Sequence, residues 1–323
     1  MRVVITGAAG FLGSRLAAEI LERGALIDTR GERRDVNELV LVDIVASPVR
    51  DRRVVTIEGD LDDARIVDEA VTPATDSVFH LAAVVSAQAE ADFELGMRVN
   101  VDATRRVLER CRHCAMPPKV VFASSLAVFG GALADPVPDD VAVTPQSSYG
   151  TQKAIGELLI ADMSRKGFID GRSLRLPTIV VRPGKPNKAA SSFASGIIRE
   201  PLAGAVATCP VAPQTRMWIQ SPRAVIDNLL VGHDAPSRRL PAPRAVNVPG
   251  LCVGVDAMVD ALRRVAGDDM ASRVHWAYDA AVDRIVSTWP ARFTANAGRA
   301  LGMRADDDFE SIIRAHIEAT KPS

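Results

Sequence analysis

Apolar residues recur along this chain in short unbroken runs, separated by stretches in which they return every third or fourth position. The runs VVIT (3–6), ELVLVDI (38–44), VVTIEGDL (54–61), SVFHLAA (77–83), KVVFASS (119–125) and SLRLPTIVV (173–181) predict strands buried on both faces. Between them, FLGSRLAAEILERG, DARIVDEAV, ADFELGMRVNVDATRRVLERC and SYGTQKAIGELLIADMSRKG carry the helical repeat. Strands that alternate with helices are joined by right-handed crossovers, so the expected fold class is α/β, a doubly wound parallel sheet. After residue 181 the rhythm breaks. Residues 182–222 are rich in Pro, Ser, Ala and basic residues, and beyond them VDAMVDALRRVAG and FESIIRAHIEAT read as helices. We therefore expect one domain over 1–181, with segments near 219–250 returning to it, and a smaller C-terminal lobe formed by 182–218 and 251–323. Residues 25–37 and 232–244 read as polar loops.

Composition narrows the class of partner. The 323 residues are 47% hydrophobic with a formal net charge of −1, enough for a packed core and without the basic excess that nucleic acid or an anionic membrane would attract. Aromatics at 4% leave little for a base-stacking surface. No apolar run is long enough to span a bilayer, and the chain enters its first strand without a secretory leader. Its four cysteines are too few and scattered for a disulfide framework, which points to a reducing cytoplasm. Cys111 and Cys114 form a CxxC, but the second ligand pair of a zinc site is missing, so no metal is expected.

The first strand runs into Gly7, Ala8, Ala9, Gly10, Phe11, Leu12 and Gly13, and then a helix. Gly7 permits the tight turn, Gly10 lets backbone N–H groups approach a pyrophosphate, and Gly13 allows close packing of helix on strand. The positive end of the helix then faces the phosphates. Asp43 ends the second strand, where a carboxylate accepts ribose hydroxyls and repels a 2′-phosphate, so NAD is expected over NADP. Arg30, Arg33 and Arg34 lie in the polar loop before it and read as solvated charges. Asp60 and Leu61 end the third strand on the adenine side. Leu81, Ala82 and Ala83 end the fourth beside pyrophosphate and ribose, next to His80, read as structural. On this pattern 1–181 is a dinucleotide-binding domain and the C-terminal lobe binds substrate.

Tyr149 and Lys153 are four residues apart at the start of a helix, so phenol and ammonium reach one cavity. A free tyrosine with a pKa of about 10 is a poor base at neutral pH, and a nearby ammonium favours its phenolate. Ser125 ends the fifth strand, where its hydroxyl can hold the substrate oxygen while Tyr149 takes the proton. Lys153 can also hold the nicotinamide ribose.

TGAAGFLG, VDI, GDL, HLAA, SSLAVFG and SSYGTQK, in this order over essentially the whole chain, resemble the extended short-chain dehydrogenase/reductase superfamily. The resemblance implies an NAD domain, a C-terminal substrate lobe and a homodimer through helices 87–115 and 148–166. Many members act on nucleotide sugars as epimerases or dehydratases, with an R-x-x-N on the sixth strand. Here Thr178 stands where the Asn would be and RPGKPN follows. The stretches LRLPTIVVRPGKPNKAASSFASGIIREPLAG, QAEADFELGMRVN and PQSSYGTQKAIGELL are similar to the D-erythronate dehydrogenase family. That resemblance implies NAD-linked oxidation of the C2 hydroxyl of a four-carbon sugar acid. It adds Asn100 to the cofactor-facing residues and sets Pro177, Thr178 and Val180 beside the nicotinamide.

A small polyhydroxy acid needs a cation for its carboxylate and short hydroxyl partners for its polyol. Ser86, Lys185, Asn187, Ser191, Ser192 and Arg216 are the candidates, together with Ser125 and Tyr149. Arg216 is favoured for the carboxylate, with Arg182 and Lys185 as rivals, while Trp218 reads as core packing. The competing function classes are a nucleotide-sugar epimerase/dehydratase, which would recycle bound NAD, and a non-enzymatic dinucleotide sensor, which has no use for Tyr149.

Overall fold

In a computed structural model, which describes residues 1–184 and 189–320, seven parallel strands form the central sheet. They are β1 (Arg2–Thr6), β2 (Glu38–Asp43), β3 (Val54–Glu58), β4 (Thr75–His80), β5 (Lys119–Ser125), β6 (Asp170–Leu176) and, from the later chain, Ala245–Asn247. The spatial order is Ala245–Asn247, β6, β5, β4, β1, β2, β3. The chain therefore leaves β1 in one direction through β2 and β3, then returns past β1 through β4, β5 and β6. That reversal opens a crevice beyond the carboxyl ends of β1 and β4. Val3, Val4 and Ile5, Leu39 to Val42, and Val120 to Phe122 are fully buried, because helices cover both faces.

The helices are α1 (Phe11–Arg23), α2 (Ala64–Ala70), α3 (Ser86–Ala91), α4 over 93–111 and α5 (Ser148–Arg165). The inward stripe of α1 is Gly13, Leu16, Ala17 and Ile20, a helical face pressed on β1. The apolar stretch 91–111 is one helix with an interruption. Its middle, Met97–Asp102, winds as a π segment before the α segment Ala103–Cys111. This local widening re-aims Asn100.

Two expected segments fold differently. SLRLPTIVV is not one strand: β6 ends at Leu176, and Thr178–Ile179 (β7) pairs instead with Arg216–Gln220 (β8), which in turn pairs with Leu251–Gly254. Pro177 at the break has no N–H to continue a ladder. The expected polar loop 25–37 contains an antiparallel hairpin of Ala25–Ile27 with Arg33–Asp35. Leu26 is fully buried, and Asp28 accepts the N–H groups of Arg30 and Glu32. The hairpin lies at the amino end of β1, where Arg34 pairs with Asp76. Its arginines are thus at the opposite end of the strands from the crevice.

Beyond β7 come α6 (Ser192–Leu202), α7 (Pro222–Asp234), α8 (Val255–Ala266), α9 (Ala280–Val286) and α10 (Phe309–Thr320). Helix α7 packs on the sheet core through Val225, Ile226, Leu229 and Leu230. Its last carbonyls accept from two buried cations, since Lys119 Nζ and Arg172 Nη1 both donate to His233 O. A separate core joins α6, α8 and α10 through Ile197, Ile198, Met258, Leu262, Ile312 and Ile313. No helix among the described residues is long and apolar enough to cross a membrane.

Candidate active site

The crevice holds a cleft of about 300 Å³ that runs from the Gly-rich turn to α9. Its walls come from the carboxyl ends of β1, β4, β5 and β6, and its roof from β7, β8, the turn before α6 and the chain from the end of α9. Gly7, Gly10, Phe11, Leu12, Gly13, Leu81, Ala83, Ser86, Ser125, Tyr149, Lys153, Pro177, Thr178, Ser191 and Arg216 all line it.

The turn fits a pyrophosphate. Gly7 has φ of 72°, and a Cβ there would lie 2.7 Å from the Ala82 nitrogen. A Cβ on Gly13 would lie 2.1 Å from the Gly7 oxygen, so only glycine lets α1 approach β1 this closely. The N-cap of α1, Gly10, brings no side-chain hydrogen bond, which leaves the first-turn N–H groups facing the cleft. Asp43 sits against the same turn and accepts the Ala9 N–H at 2.9 Å.

Asn100, Ala82 and Val180 support the cleft from behind. Asn100 Oδ1 accepts the Val84 N–H at 2.8 Å, while its Nδ2 donates to Val84 O and to Gln152 Oε1. It thereby ties the loop after β4 to α5. Ala82 donates its N–H to Thr6 Oγ1. Val180 is fully buried, with its N–H on Gln220 O, and offers no surface to a ligand. At the far end Asp60 closes a turn by accepting the Asp62 N–H, and Leu61 is buried on the sheet core.

The catalytic candidates converge. Ser125 ends β5 with its hydroxyl facing the Tyr149 hydroxyl, which favours the phenolate. Two close approaches set this geometry. A Cβ on Gly150 would lie 2.0 Å from Ala127 O, and one on Gly156 would lie 2.5 Å from the Phe122 ring, so α5 rests directly on β5 and the turn after it. Burial outweighs the other influences on Tyr149 and pushes its pKa up to about 12. Lys153 behaves differently from expectation. Its Nζ donates to Ala123 O at 2.8 Å, lies over the Phe122 ring, and is 5.7 Å from the Tyr149 ring centre. Burial pulls its pKa down to about 8, opposed by the Glu157 carboxylate one turn on. A second cation, Arg182, also favours the Tyr149 phenolate. Glu157 is held in turn by Arg175 at 2.7 Å and by the Ser124 hydroxyl.

His80 is a structural histidine. It is buried between Thr6 Oγ1 and Thr104 Oγ1, and desolvation lowers its pKa to about 3. Trp218 is core: its Nε1 donates to Val248 O and its ring packs on Phe293, with one edge on the cleft. Cys111 is fully buried, and burial raises the pKa of its thiol.

On the roof, Ser86 Oγ accepts the Ala190 N–H, which ties α3 to the turn that carries Ser191. Ser191 precedes α6 and Ser192 is its first residue; Ser191 lines the cleft. Lys185 and Asn187 lie outside the described residues. Arg216 lies at the rim, about half exposed, and pairs with Asp135 at 3.0 Å. Val286, Trp289 and Pro290 complete the roof. Sequence reading missed these three, because they follow a short helix in a segment without a clear hydrophobic period.

A family model described as the NAD dependent epimerase/dehydratase family matches residues 3–221. Over 98% of both chains, the sequence is 55% identical to D-erythronate dehydrogenase of Cupriavidus necator. It is 44% identical to D-erythronate dehydrogenase of Haemophilus influenzae, over 98% of this chain and 99% of that one. Among solved structures, a nucleoside-diphosphate-sugar epimerase from Agrobacterium tumefaciens superposes with a TM-score of 0.92 at 39% identity, over 99% of this chain and 94% of that one.

Proposed function

Because the chain belongs to the NAD-dependent epimerase/dehydratase family and, within it, groups with the D-erythronate dehydrogenases, we propose that it converts D-erythronate and NAD to 2-oxo-D-erythronate, NADH and a proton. The observation that supports this most is the junction of β5 and α5, where Ser125 and Tyr149 meet at one end of a cleft whose other end is the Gly-rich turn. Bound NAD would supply the hydride acceptor for C2.

The chain's own groups do the rest. Ser125 holds the C2 hydroxyl, and Tyr149 Oη removes its proton. Arg182 and the Ser125 hydroxyl favour the phenolate against the cost of burial. Lys153, fixed on Ala123 O, holds the ribose hydroxyls on the nicotinamide side and keeps a positive charge beneath the site. Gly7, Gly10 and Gly13 admit the pyrophosphate, and Asp43 takes the adenosine ribose. Pro177 and Thr178 flank the nicotinamide. The division of labour follows the chain, with 1–181 binding dinucleotide and 182–218 with 251–323 enclosing substrate. Leu158 on α5 and Phe93 on α4 are 67% and 55% exposed, which supports a homodimer through that face. Free cysteines suit a reducing cytoplasm.

The test is isotopic. D-erythronate carrying deuterium at C2 should yield deuterated NADH, and substrate labelled at C3 should not. Label arriving from C3 overturns the C2 assignment. The likeness to a nucleoside-diphosphate-sugar epimerase gives a second reading, in which NAD is recycled and no net NADH appears. Conversion of a UDP-sugar without NADH release would establish that reading.

A further inference from the structure

The cleft contains a cation whose charge the described residues leave unanswered. Arg182 follows β7, and its backbone is clamped by α6: its N–H donates to Ser195 Oγ at 3.0 Å, and its carbonyl accepts from Arg199 Nη1 at 2.7 Å. Its side chain lines the cleft, and its Nη2 is buried without a hydrogen-bond partner among the described residues. The neighbouring Arg199 is neutralised by Glu200 at 2.6 Å, yet still opposes the charge on Arg182. A buried guanidinium nitrogen with no acceptor, beside a second guanidinium, is costly unless an anion completes it.

Arg216, the other arginine on the cleft, stands in solvent at the rim. It pairs at 3.0 Å with Asp135, a carboxylate it shares with Arg292, and water screens the charge of this half-exposed group. Position separates the two further. In a 2-hydroxy acid the carboxylate carbon is bonded to the carbon that is oxidised. Its cation must therefore stand beside the phenol that takes the proton. Arg182 and Tyr149 line the same cleft, where the Arg182 charge favours the Tyr149 phenolate.

Resting on the dehydrogenase reading above, we infer that Arg182 is the anchor for the substrate carboxylate, and that its place beside Tyr149 restricts oxidation to the hydroxyl adjacent to that carboxylate. Clamping by α6 fixes the backbone from which the side chain springs, so less ordering is required on binding. Bidentate geometry then fixes C2 over the reacting groups.

The test measures carboxylate recognition apart from turnover. The NADH complex is titrated with oxamate, an anionic 2-oxo acid analogue, and with the neutral oxamide, by quenching of NADH fluorescence. Wild type, Arg182→Met, Arg182→Lys and Arg216→Met are compared, with NADH affinity as the folding control. Losing a charged, bidentate contact should weaken oxamate by about 10- to 100-fold in Arg182→Met, leave oxamide unchanged, and recover partly in Arg182→Lys. Arg216→Met should stay within about threefold of wild type, as expected of a rim pair in solvent. The lysine variant keeps a cation in place and decides the matter if the methionine variant does not fold. The inference is overturned if Arg182→Met retains wild-type oxamate affinity, if the loss falls on Arg216→Met, or if wild type does not prefer oxamate over oxamide. D-erythronate turnover is followed in parallel. Arg182-dependent oxamate binding without turnover keeps the anchor and removes D-erythronate as the substrate.

Discussion

At the scale of single residues, the site depends on how burial and charge divide the titration of two side chains. Tyr149 is driven up to about 12 and Lys153 down to about 8, both chiefly by desolvation. With the phenolate as the proposed base for oxidation, the rate should climb as pH rises from neutral into the alkaline range. A log(kcat/KM) profile flat from pH 6 to 10, under conditions where chemistry limits, would remove Tyr149 as the base. Tyr149→Phe should lower kcat by about 10²- to 10⁴-fold, the usual share of a general base. NADH titration should show its cofactor affinity intact. Asp43, beside the Gly-rich turn, is the proposed ligand of the adenosine ribose. Asp43→Ser should erode the preference for NAD over NADP, read as the ratio of kcat/KM values, and an unchanged ratio would remove it from the ribose.

At the scale of elements, close approach controls function. The first turn of α5 touches the turn after β5 so tightly that a Cβ on Gly150 would meet Ala127 O at 2.0 Å. Gly150→Ala should therefore separate Tyr149 from Ser125 and lower kcat by about 10²-fold, as a misplacement near 1 Å does. Cofactor affinity should change little, since the Gly-rich turn is untouched. Equal losses in kcat and NADH affinity would show that the contact holds the whole fold and not the catalytic pair. The elements themselves were legible in the sequence: KVVFASS is β5 to the residue, because a buried parallel strand is an unbroken apolar run. The π segment at Met97–Asp102 was not, since its cause is tertiary: Asn100 is drawn onto Val84 and Gln152. The break at Pro177 divides one apolar run between two sheets, which periodicity does not register. Arg182 was only one of three candidate cations, because pairing of the alternatives is invisible in sequence. The Asp135 partner of Arg216 lies 81 residues away.

At the scale of the whole molecule, buried neutral histidines make the fold sensitive to acid. His80 and His233 have pKa values lowered to about 3 and about 4, so the unfolded chain takes up protons below about pH 6.5 that the folded chain refuses. Each should remove about 1.4 kcal/mol per pH unit between about pH 6 and pH 4. Asp170 and Asp234, held below the usual carboxylate range by Arg172 and His233 respectively, lose their contributions further down. Urea midpoints should fall steadily over this window, and a flat series would contradict the burial of both rings. The account stands most directly on one reaction. Purified protein is mixed with NAD and D-erythronate, and absorbance of NADH is followed, with NADP, L-threonate and UDP-sugars in parallel. A rise that requires both NAD and D-erythronate is the predicted result. No rise with D-erythronate at any pH, from a protein that binds NADH, would contradict the proposed reaction.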